Sequence, residues 1–499
     1  MEQYFPSKAE FAKLAKKGAL VPVYREILAD LETPVSAYLK LGDRPYSYLL
    51  ESVEGGEKLA RFSVIGLAPQ LVFRSTGRRI TISEPGRADK TFTTSADPLA
   101  ELEKLLKRYK QPPMKGLPPF SGGAVGYMGY DTVRFIEKIP DKNKDVHGIP
   151  DSVFVFTDSL VVFDHINKKI KVVCNVRVDQ FKNASDAYDS AVQKIDDEVR
   201  RLRSGLSQMR ISPQPEKPVK LKVESNFTKD AFRAIVQKAK HYIKIGDIIQ
   251  VVLSQKFSVK VHSHPFDIYR ALRSINPSPY MFYLNFEGFQ LAGSSPEIHV
   301  RCENGKAVVR PIAGTRRRGK NTAEDKALEK ELLADPKERA EHLMLVDLGR
   351  NDLGRVCDFK TVKVPEFMVV ERYSHVMHIV SHVEGLLKKG KTLYDLLRAT
   401  FPAGTVSGAP KVRAMQIIDQ LENRKRGFYA GIVGYFSYSG NLDSCIAIRT
   451  ILIKDGVATV QAGAGIVADS DPSAEYEETV NKAKALVKAI EAAENGVAQ

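Results

Sequence analysis

Tryptophan is absent from this chain of 499 residues, and cysteine is rare. The cysteines stand far apart, at Cys174, Cys302, Cys357 and Cys445, so the spacing shows neither a metal-binding pair nor a disulfide framework. No apolar run approaches the length of a membrane span, and the first residues do not form a secretory signal. We therefore expect a cytoplasmic protein with reduced thiols and no membrane partner.

The formal net charge of +15 admits two interpretations. Basic charge can attract nucleic acid, or it can raise the local concentration of small anionic substrates. The short basic cluster at residues 316–318 is followed by acidic helices, whereas a nucleic-acid surface typically shows a basic stripe with interleaved aromatic residues. The charge therefore indicates a small anion or a solvated surface, and we expect no nucleic-acid partner.

The length of the chain allows more than one core, because single cores stop growing at roughly 250–300 residues. Residues 205–224 carry proline, serine and charge without periodicity, which indicates a linker. We predict an N-terminal part, residues 1–204, and a second part, residues 225–490. Strands occur in blocks with helices gathered between and after them, which is typical of an α+β fold with large antiparallel sheets.

One predicted helix carries a carboxylate on an apolar face. Asp335 can cap this helix, and Pro336 suits its first position. The apolar run 343–346 covers every side of one turn and predicts a buried helix. Glu341 should point toward buried residues, where a carboxylate needs a cation, a hydrogen-bonding partner or a raised pKa. Both a structural ion pair with a nearby arginine and a metal or catalytic role fit this pattern.

A second predicted helix begins at Pro472, after a capping aspartate, and places Glu475, Glu478 and Lys482 on one stripe. A solvated face with a Glu478–Lys482 ion pair is one interpretation. The other rests on the preceding Gly-Ala-Gly-Ile run at 463–466, because glycine lets a ligand approach the backbone closely. Amides there could bind a carboxylate as an anion-binding nest.

Three further features suit acid–base or anion chemistry. Arg449 lies within a predicted apolar strand, 445–453, where it must face solvent or meet an anion such as a carboxylate. Residues 402–410 form a tight loop of small residues, which suits backbone contacts with a ligand. His375 and His378 share a face if their segment is helical, and either could act as a general acid or base. Each histidine alone is more often structural.

Six motifs in a fixed order carry a resemblance to a known family. They are Gly-Asp-Ile-Ile-Gln-Val-Val-Leu-Ser-Gln at 246–255, Gly-Ser-Ser-Pro-Glu at 293–297, Arg-Pro-Ile-Ala-Gly-Thr at 310–315, the helix at 341–352, Pro-Ala-Gly-Thr at 402–405, and 463–466 with 475–482. In this order they resemble the chorismate-utilising enzymes, most closely the large subunits of anthranilate synthases. The resemblance is strong over about 225–485 and implies an α/β/β/α fold, with large antiparallel sheets sandwiched by helices.

Two positions indicate the branch of the family. Members that make isochorismate or salicylate carry a lysine, which activates water, where this chain has Gln250. Members that make aminodeoxychorismate typically carry a lysine, which attacks the substrate, where this chain has Ala313. The resemblance therefore implies a lyase of tryptophan biosynthesis that adds ammonia to chorismate and releases anthranilate and pyruvate. Aminodeoxychorismate synthase and a non-catalytic binding protein of the same fold are the alternatives.

The resemblance also implies roles for individual residues. Glu341 and Glu478 would hold Mg²⁺, with Glu475 near the metal or its waters. Glu297 would protonate the departing ring hydroxyl, and His378 would assist the loss of pyruvate. The implied catalytic residues are Glu297, His378, Thr405 and Gln250. The implied substrate-binding residues are Gly314, Thr315, Tyr429, Arg449, Gly463, Gly465 and Lys482.

Two binding partners follow from the resemblance. One is a separate glutamine amidotransferase subunit that supplies ammonia, since no cysteine here has the surroundings of a glutaminase nucleophile. The other is L-tryptophan as a feedback inhibitor, bound between an N-terminal regulatory and partner-binding part and the chorismate-binding catalytic domain. The implied inhibitor-binding residues are Leu50, Glu51, Ser52, Pro279, Tyr280 and Met281. The absence of tryptophan from the chain fits an enzyme that is made when tryptophan is scarce.

Overall fold

The computed structural model describes residues 3–16, 20–52, 61–109, 111–112, 114–205, 218–373 and 376–496. Two antiparallel sheets face each other, and apolar side chains fill the space between them. The rings of Tyr127 and Phe286, one from each sheet, lie 5.5 Å apart between their centroids. Helices cover the outer sides of the sheets, which confirms the predicted α+β fold.

The strands of both sheets pair with partners that are distant in sequence. In spatial order the first sheet contains Tyr4–Phe5, Leu20–Leu28, Lys169–Arg177, Ser152–Asp164, Phe62–Thr76, Ser47–Glu51, Tyr280–Phe286, Phe289–Ser295, Thr450–Lys454, Val457–Ile466 and Gln250–Lys260, with Glu224–Ser225 and Gly408–Ala409 on the last strand. The second contains Lys90–Thr93, Arg79–Ser83, Phe62–Thr76, Ser152–Asp164, Gly123–Met128, Ile432–Ser437, Leu442–Ile446, Ile298–Glu303, Lys306–Val309 and Val376–Leu386, with Ile312–Arg317 and Lys363–Arg372 on the last strand. The long strands Phe62–Thr76 and Ser152–Asp164 belong to both sheets.

The described helices are Lys8–Ala15, Pro34–Leu41, Pro98–Leu106, Ala184–Arg203, Lys229–Lys244, Pro265–Ile275, Thr322–Ala334, Pro336–Gly354, Leu393–Thr400, Lys411–Leu421 and Pro472–Glu494, with short 3₁₀ turns at Tyr130–Phe135, Val178–Gln180, Phe359–Thr361 and Gly404–Val406. We call Pro336–Gly354 the cleft helix and Pro472–Glu494 the C-terminal helix. Both begin as predicted, because Asp335 and Asp471 accept hydrogen bonds from first-turn amides. None of the helices in the described ranges is long and apolar enough to cross a membrane.

Both predicted parts of the chain contribute to both sheets. Ser47–Glu51 pairs with Tyr280–Phe286, and Gly123–Met128 pairs with Ile432–Ser437. The predicted linker falls mostly on residues 206–217, which lie outside the described residues, so the linker stays a prediction. Strands of the predicted N-terminal part, residues 1–204, therefore pair directly with strands of the second part, residues 225–490.

Two local predictions are wrong, at Arg449 and in the cleft helix, and the helical condition for His378 is not met. The predicted strand 445–453 is broken, because Arg449 adopts a left-handed backbone with φ of 51° between two strands of different sheets. His378 lies in a strand rather than a helix, since its segment pairs with Ile312–Arg317, and His375 lies outside the described residues. The cleft helix is not buried on every side: Leu343 is 47 % exposed, because only one face of this helix packs on the sheet.

Candidate active site

All the residues predicted to catalyse, to bind substrate or to hold a metal line one cleft of about 720 Å³. The cleft lies against the last strands of both sheets and is bounded by the cleft helix and the C-terminal helix. The fold therefore brings together residues of all six motifs with His378, Tyr429 and Arg449, which lie outside the motifs. Their individual roles remain predictions, and the geometry below bears on each of them.

Glu297 is a buried carboxyl group at one wall of the cleft. It lies in the turn between strands Phe289–Ser295 and Ile298–Glu303, where its carbonyl accepts from the Ile446 amide at 3.0 Å. Burial raises the pKa of Glu297 to about 8, and the Thr405 hydroxyl and the Lys482 ammonium oppose that rise only in part. The Thr405 oxygen makes no hydrogen bond of ordinary geometry to a described residue, so its effect is small beside burial. Glu297 is thus protonated at neutral pH.

The ring of His378 is fixed in one orientation. Its Nδ1 lies 2.9 Å from the Gly314 carbonyl oxygen and 3.1 Å from the Thr315 hydroxyl. A carbonyl can only accept, so Nδ1 carries the proton and Nε2 is left as the basic nitrogen. Burial lowers the pKa of His378, so the ring is neutral near pH 7 and suited to accept a proton.

Two cationic side chains, Arg449 and Lys482, also line the cleft, and we call them the cationic wall. Arg449 donates from Nη1 to the Lys482 carbonyl at 2.9 Å and makes no ion pair with any side chain in the described ranges. Burial lowers the pKa of Arg449, but a guanidinium keeps its charge in proteins. Lys482 donates to the Gly463 carbonyl at 3.0 Å and to Glu478 at 2.6 Å, which confirms the predicted Glu478–Lys482 ion pair. A buried guanidinium without a carboxylate partner is well suited to a carboxylate ligand.

Three carboxylates also line the cleft, and one of them, Glu478, is the ion-pair partner of Lys482. Burial is the main cause of the raised pKa values of Glu341 and Glu475. The negative charge of Glu478 raises both pKa values further. Glu341 accepts from the Gln250 amide at 3.2 Å rather than from an arginine, so the structural ion-pair interpretation finds no support. One buried oxygen of Glu475 has no hydrogen-bond partner among the residues that the structure describes. Within the described ranges, no three His, Cys, Asp or Glu side chains are gathered closely enough to hold a metal by themselves.

The glycines at 463 and 465 make room for neighbouring site residues. A Cβ at Gly463 would lie 2.7 Å from the Tyr429 hydroxyl, and one at Gly465 would lie 2.7 Å from the Gln250 side-chain nitrogen. The predicted anion nest is wrong, because these residues extend the strand Val457–Ile466. In a strand successive amides point in opposite directions and cannot converge on one anion.

The predicted inhibitor segments are neighbours in the first sheet. Glu51 is paired with Met281, and Leu50 with Phe282. Two nitrogens of Arg273, Nε and Nη2, donate to Glu51 at 3.0 and 3.1 Å, so its carboxylate already has a cationic partner. Side chains alternate along strands, so Leu50 and Tyr280 share one face of the sheet. Glu51 and Met281 face the other side, toward helix Pro265–Ile275.

Sequence reasoning missed several polar residues of the cleft, and three of them are Lys337, Glu338 and Gln461. Lys337 and Glu338 lie one turn before Glu341 on the cleft helix, and Gln461 lies two residues before Gly463 on its strand. Helical and strand spacing from residues already chosen would have found all three.

Comparison with known proteins identifies the family. A family model described as "chorismate binding enzyme" matches residues 45–488. Anthranilate synthase component 1 of Acetivibrio thermocellus is 50% identical over 493 residues, covering 98% of this chain and 99% of that protein. Its counterpart in Aquifex aeolicus is 51% identical over 489 residues, covering 98% of each. The crystal structure of anthranilate synthase component I from Streptococcus pneumoniae TIGR4 superposes with a TM-score of 0.75 at 38% identity, covering 92% of this chain and 98% of that one.

The chain therefore belongs to the chorismate-binding enzymes, as the motifs indicated. Within that family it belongs with the anthranilate synthase component 1 proteins, since relatives of that name match it along almost its whole length.

Proposed function

We propose that this cleft converts chorismate and ammonia into anthranilate and pyruvate in tryptophan biosynthesis. The observation that carries the proposal is a protonated, buried Glu297 in the same cleft as the guanidinium of Arg449, which has no ion-pair partner among the described residues. Chorismate brings what these groups need: a ring hydroxyl that must be protonated to leave, and two carboxylates. The names of the full-length relatives support the same reaction.

The cationic wall orients the substrate. Arg449 and Lys482 bind the enolpyruvyl carboxylate, and the Tyr429 hydroxyl reaches the same part of the cleft because Gly463 leaves space for it. This fixes the ring between Glu297 and Gln250. Orientation of this kind removes much of the entropic part of a barrier before any bond changes.

The first chemical step needs an acid. Glu297 gives its proton to the leaving ring hydroxyl, which departs as water, while ammonia forms a carbon–nitrogen bond at the other end of the unsaturated system. The added nitrogen then loses one proton, so the proton that Glu297 gave is balanced. Gln250 lacks the basic amine that would activate water, which favours ammonia as the nucleophile.

The second step needs a base. The Nε2 of His378 is positioned to take the proton from the ring carbon as the enolpyruvyl carbon–oxygen bond breaks, and a proton is returned to the methylene carbon to give pyruvate. Loss of the proton from the ring carbon makes the ring aromatic. Ala313 cannot attack the substrate, which disfavours the aminodeoxychorismate alternative.

The carboxylates suit Mg²⁺. Glu341 and Glu478 would hold the ion, with Glu475 beside it or its waters, and these oxygen donors are the ligands that this hard cation prefers. The unpartnered oxygen of Glu475 and the raised pKa values of Glu341 and Glu475 are what a cation would relieve. When bound, the ion would supply charge neutralisation for the ring carboxylate of the substrate.

A glutamine amidotransferase subunit would supply the ammonia. All four cysteines are buried and free, as the sequence indicated. Burial raises the pKa of Cys174, Cys302 and Cys357 to about 11 and that of Cys445 to about 12, so none offers a thiolate for glutamine hydrolysis at neutral pH. The cytoplasmic location stays a prediction.

The proposal can be tested by comparing an ammonium salt with glutamine as the source of the nucleophile. We expect the purified chain to consume chorismate with an ammonium salt and Mg²⁺, and to gain no activity from glutamine until an amidotransferase subunit is added. Product chromatography separates anthranilate from aminodeoxychorismate and isochorismate. Glutamine-dependent turnover by the chain alone would contradict the proposal, as would a hydroxylated product.

Tryptophan would inhibit by binding where the two predicted parts of the chain meet. Pro279 belongs to a predicted inhibitor segment and also lines the cleft, so an inhibitor held by that segment directly adjoins the substrate. The paired strands Ser47–Glu51 and Tyr280–Phe286 would transmit its presence, since both contribute to one sheet. Binding there would act by favouring a form of the cleft with lower affinity for chorismate.

Ser52→Arg should abolish tryptophan inhibition, because the arginine adds bulk and charge at the end of the strand that carries Leu50. Met281→Thr should weaken the inhibition, because Met281 is paired with Glu51 and the smaller threonine would loosen the packing of that strand. The measurement is the tryptophan concentration for half inhibition, which should rise at least about tenfold, equivalent to 1.4 kcal/mol of binding. Leu31→Arg, at an exposed site that belongs to neither segment, serves as the control. Unchanged sensitivity in Ser52→Arg would show that the inhibitor site is wrongly placed.

A further inference from the structure

Arg426 is a fully buried cation behind the cleft that no role above has used. Its side chain is 1 % exposed and does not line the cleft itself. Nη1 donates to the Val406 carbonyl and Nη2 to the Val252 carbonyl, each at 2.7 Å. Glu422 neutralises its charge through contacts of 3.0 Å to Nε and 2.6 Å to Nη2.

The groups that Arg426 holds are walls of the cleft. Val252 and Val406 both line it. Val406 follows directly after a predicted catalytic threonine, and Val252 lies two residues beyond Gln250 on the same strand. The guanidinium also lies 5.6 Å from the centroid of the Tyr429 ring, a third lining residue. One side chain thus connects three separate segments of the site.

Glu422 extends the same support to a fourth segment. Its Oε1 accepts from the Ser254 amide at 2.9 Å and from the Ser254 hydroxyl at 2.8 Å. The Ser254 oxygen in turn accepts from the Gln461 side chain at 2.9 Å, and Gln461 lines the cleft. The pair Arg426–Glu422 is therefore the centre of a buried polar network whose outer members face the substrate.

A buried ion pair is a poor means of gaining stability, because the cost of removing both charges from water offsets their attraction. A planar guanidinium does, however, offer several donors in a rigid fork, so it can fix several acceptors relative to one another. We infer that Arg426 is a positioning residue, which sets the relative placement of the loop 404–407, the strand at 250–254 and Tyr429. Its catalytic consequence rests on the proposed function, whereas its ordering role does not.

Arg426→Lys tests the inference, since lysine keeps the buried charge beside Glu422 but loses the fork. The matched control is Arg134→Lys, which shortens another largely buried arginine that Asp419 neutralises at 2.6 Å and that does not line the cleft. Hydrogen exchange of the full chain without substrate measures the ordering directly. We expect faster exchange at amides 250–254 and 404–407 in Arg426→Lys only. Equal protection of these amides in the two variants would overturn the inference.

Steady-state kinetics measure the catalytic consequence. We expect kcat of Arg426→Lys to fall about 10²-fold, because displacement of reacting groups by an ångström has effects of that size. The KM for chorismate should rise much less than kcat falls, since Arg449 and Lys482 are untouched and only Tyr429 among the residues that bind the carboxylate loses support. Arg134→Lys should keep the wild-type kcat. An equal loss of kcat in both variants, or none in Arg426→Lys, would reduce Arg426 to a structural residue.

A weaker variant keeps the test decisive if Arg426→Lys does not fold. Ser254→Ala removes one hydrogen bond to Glu422 and the acceptor of Gln461 without altering a charge. The same amides should exchange faster and kcat should fall to a smaller extent. If the wild-type chain converts no chorismate, the proposed function fails, while the exchange comparison still decides the ordering role.

Discussion

Glu297→Gln should lower kcat by about 10²- to 10⁴-fold, the range that a positioned acid contributes. The buried carboxyl is protonated at neutral pH, so glutamine reproduces its neutral form and size but cannot give up a proton. The variant should therefore keep the melting temperature and the KM of the wild type. Glu303→Gln, in the next strand and outside the cleft, should keep full activity.

The pH dependence of the wild-type reaction rate should report the protonation state of Glu297. Deprotonation removes the acid, so kcat/KM for chorismate, measured at a fixed concentration of free ammonia, should fall as the pH rises through the Glu297 pKa of about 8. Glu297→Gln should lack this descending limb. A variant with wild-type kcat, or an unchanged limb in the variant, would assign the acid to another residue.

Glu341→Gln should remove the response to Mg²⁺ and nearly all activity. Burial and nearby carboxylates raise the pKa of Glu341, so without a cation the charge is unfavourable and the variant should melt at the wild-type temperature or above. Mg²⁺ at about 100 times its dissociation constant should stabilise the wild type by about 2.7 kcal/mol and leave the variant unchanged. Differential scanning calorimetry with and without Mg²⁺ measures this effect.

Asp347→Asn is the control for that comparison, because Asp347 lies on the same helix, is exposed and pairs only with Arg350 in the described part of the chain. It should keep both the Mg²⁺ response and the activity. If Mg²⁺ raises the melting temperature of Glu341→Gln as much as that of the wild type, Glu341 does not hold the ion.

Features encoded within a short stretch were predictable from the sequence. Asp335 and Asp471 cap helices because their carboxylates accept from amides only two or three residues away. The glycines at 463 and 465 were predicted to let a ligand approach the backbone, whereas in the structure they make room for the side chains of Tyr429 and Gln250. The site residues were found through the order of the motifs rather than through geometry, and the fold then placed them all in one cleft.

Features that depend on distant partners were not predictable. The break at Arg449 exists because the flanking strands enter different sheets, and nothing in the apolar run itself indicates this. His378 is extended because Ile312–Arg317 pairs with its segment. Arg426 was overlooked because its importance comes from Val252, which lies 174 residues away in the chain. Such contacts exist only in the folded molecule.

Fluorescence of the purified chain mixed with chorismate, Mg²⁺ and an ammonium salt at mildly alkaline pH tests the central claim most directly. The account predicts that the fluorescence of anthranilate appears as chorismate is consumed, and that Glu341→Gln abolishes it. Consumption of chorismate without anthranilate fluorescence would contradict the account and assign the cleft to another reaction of the family.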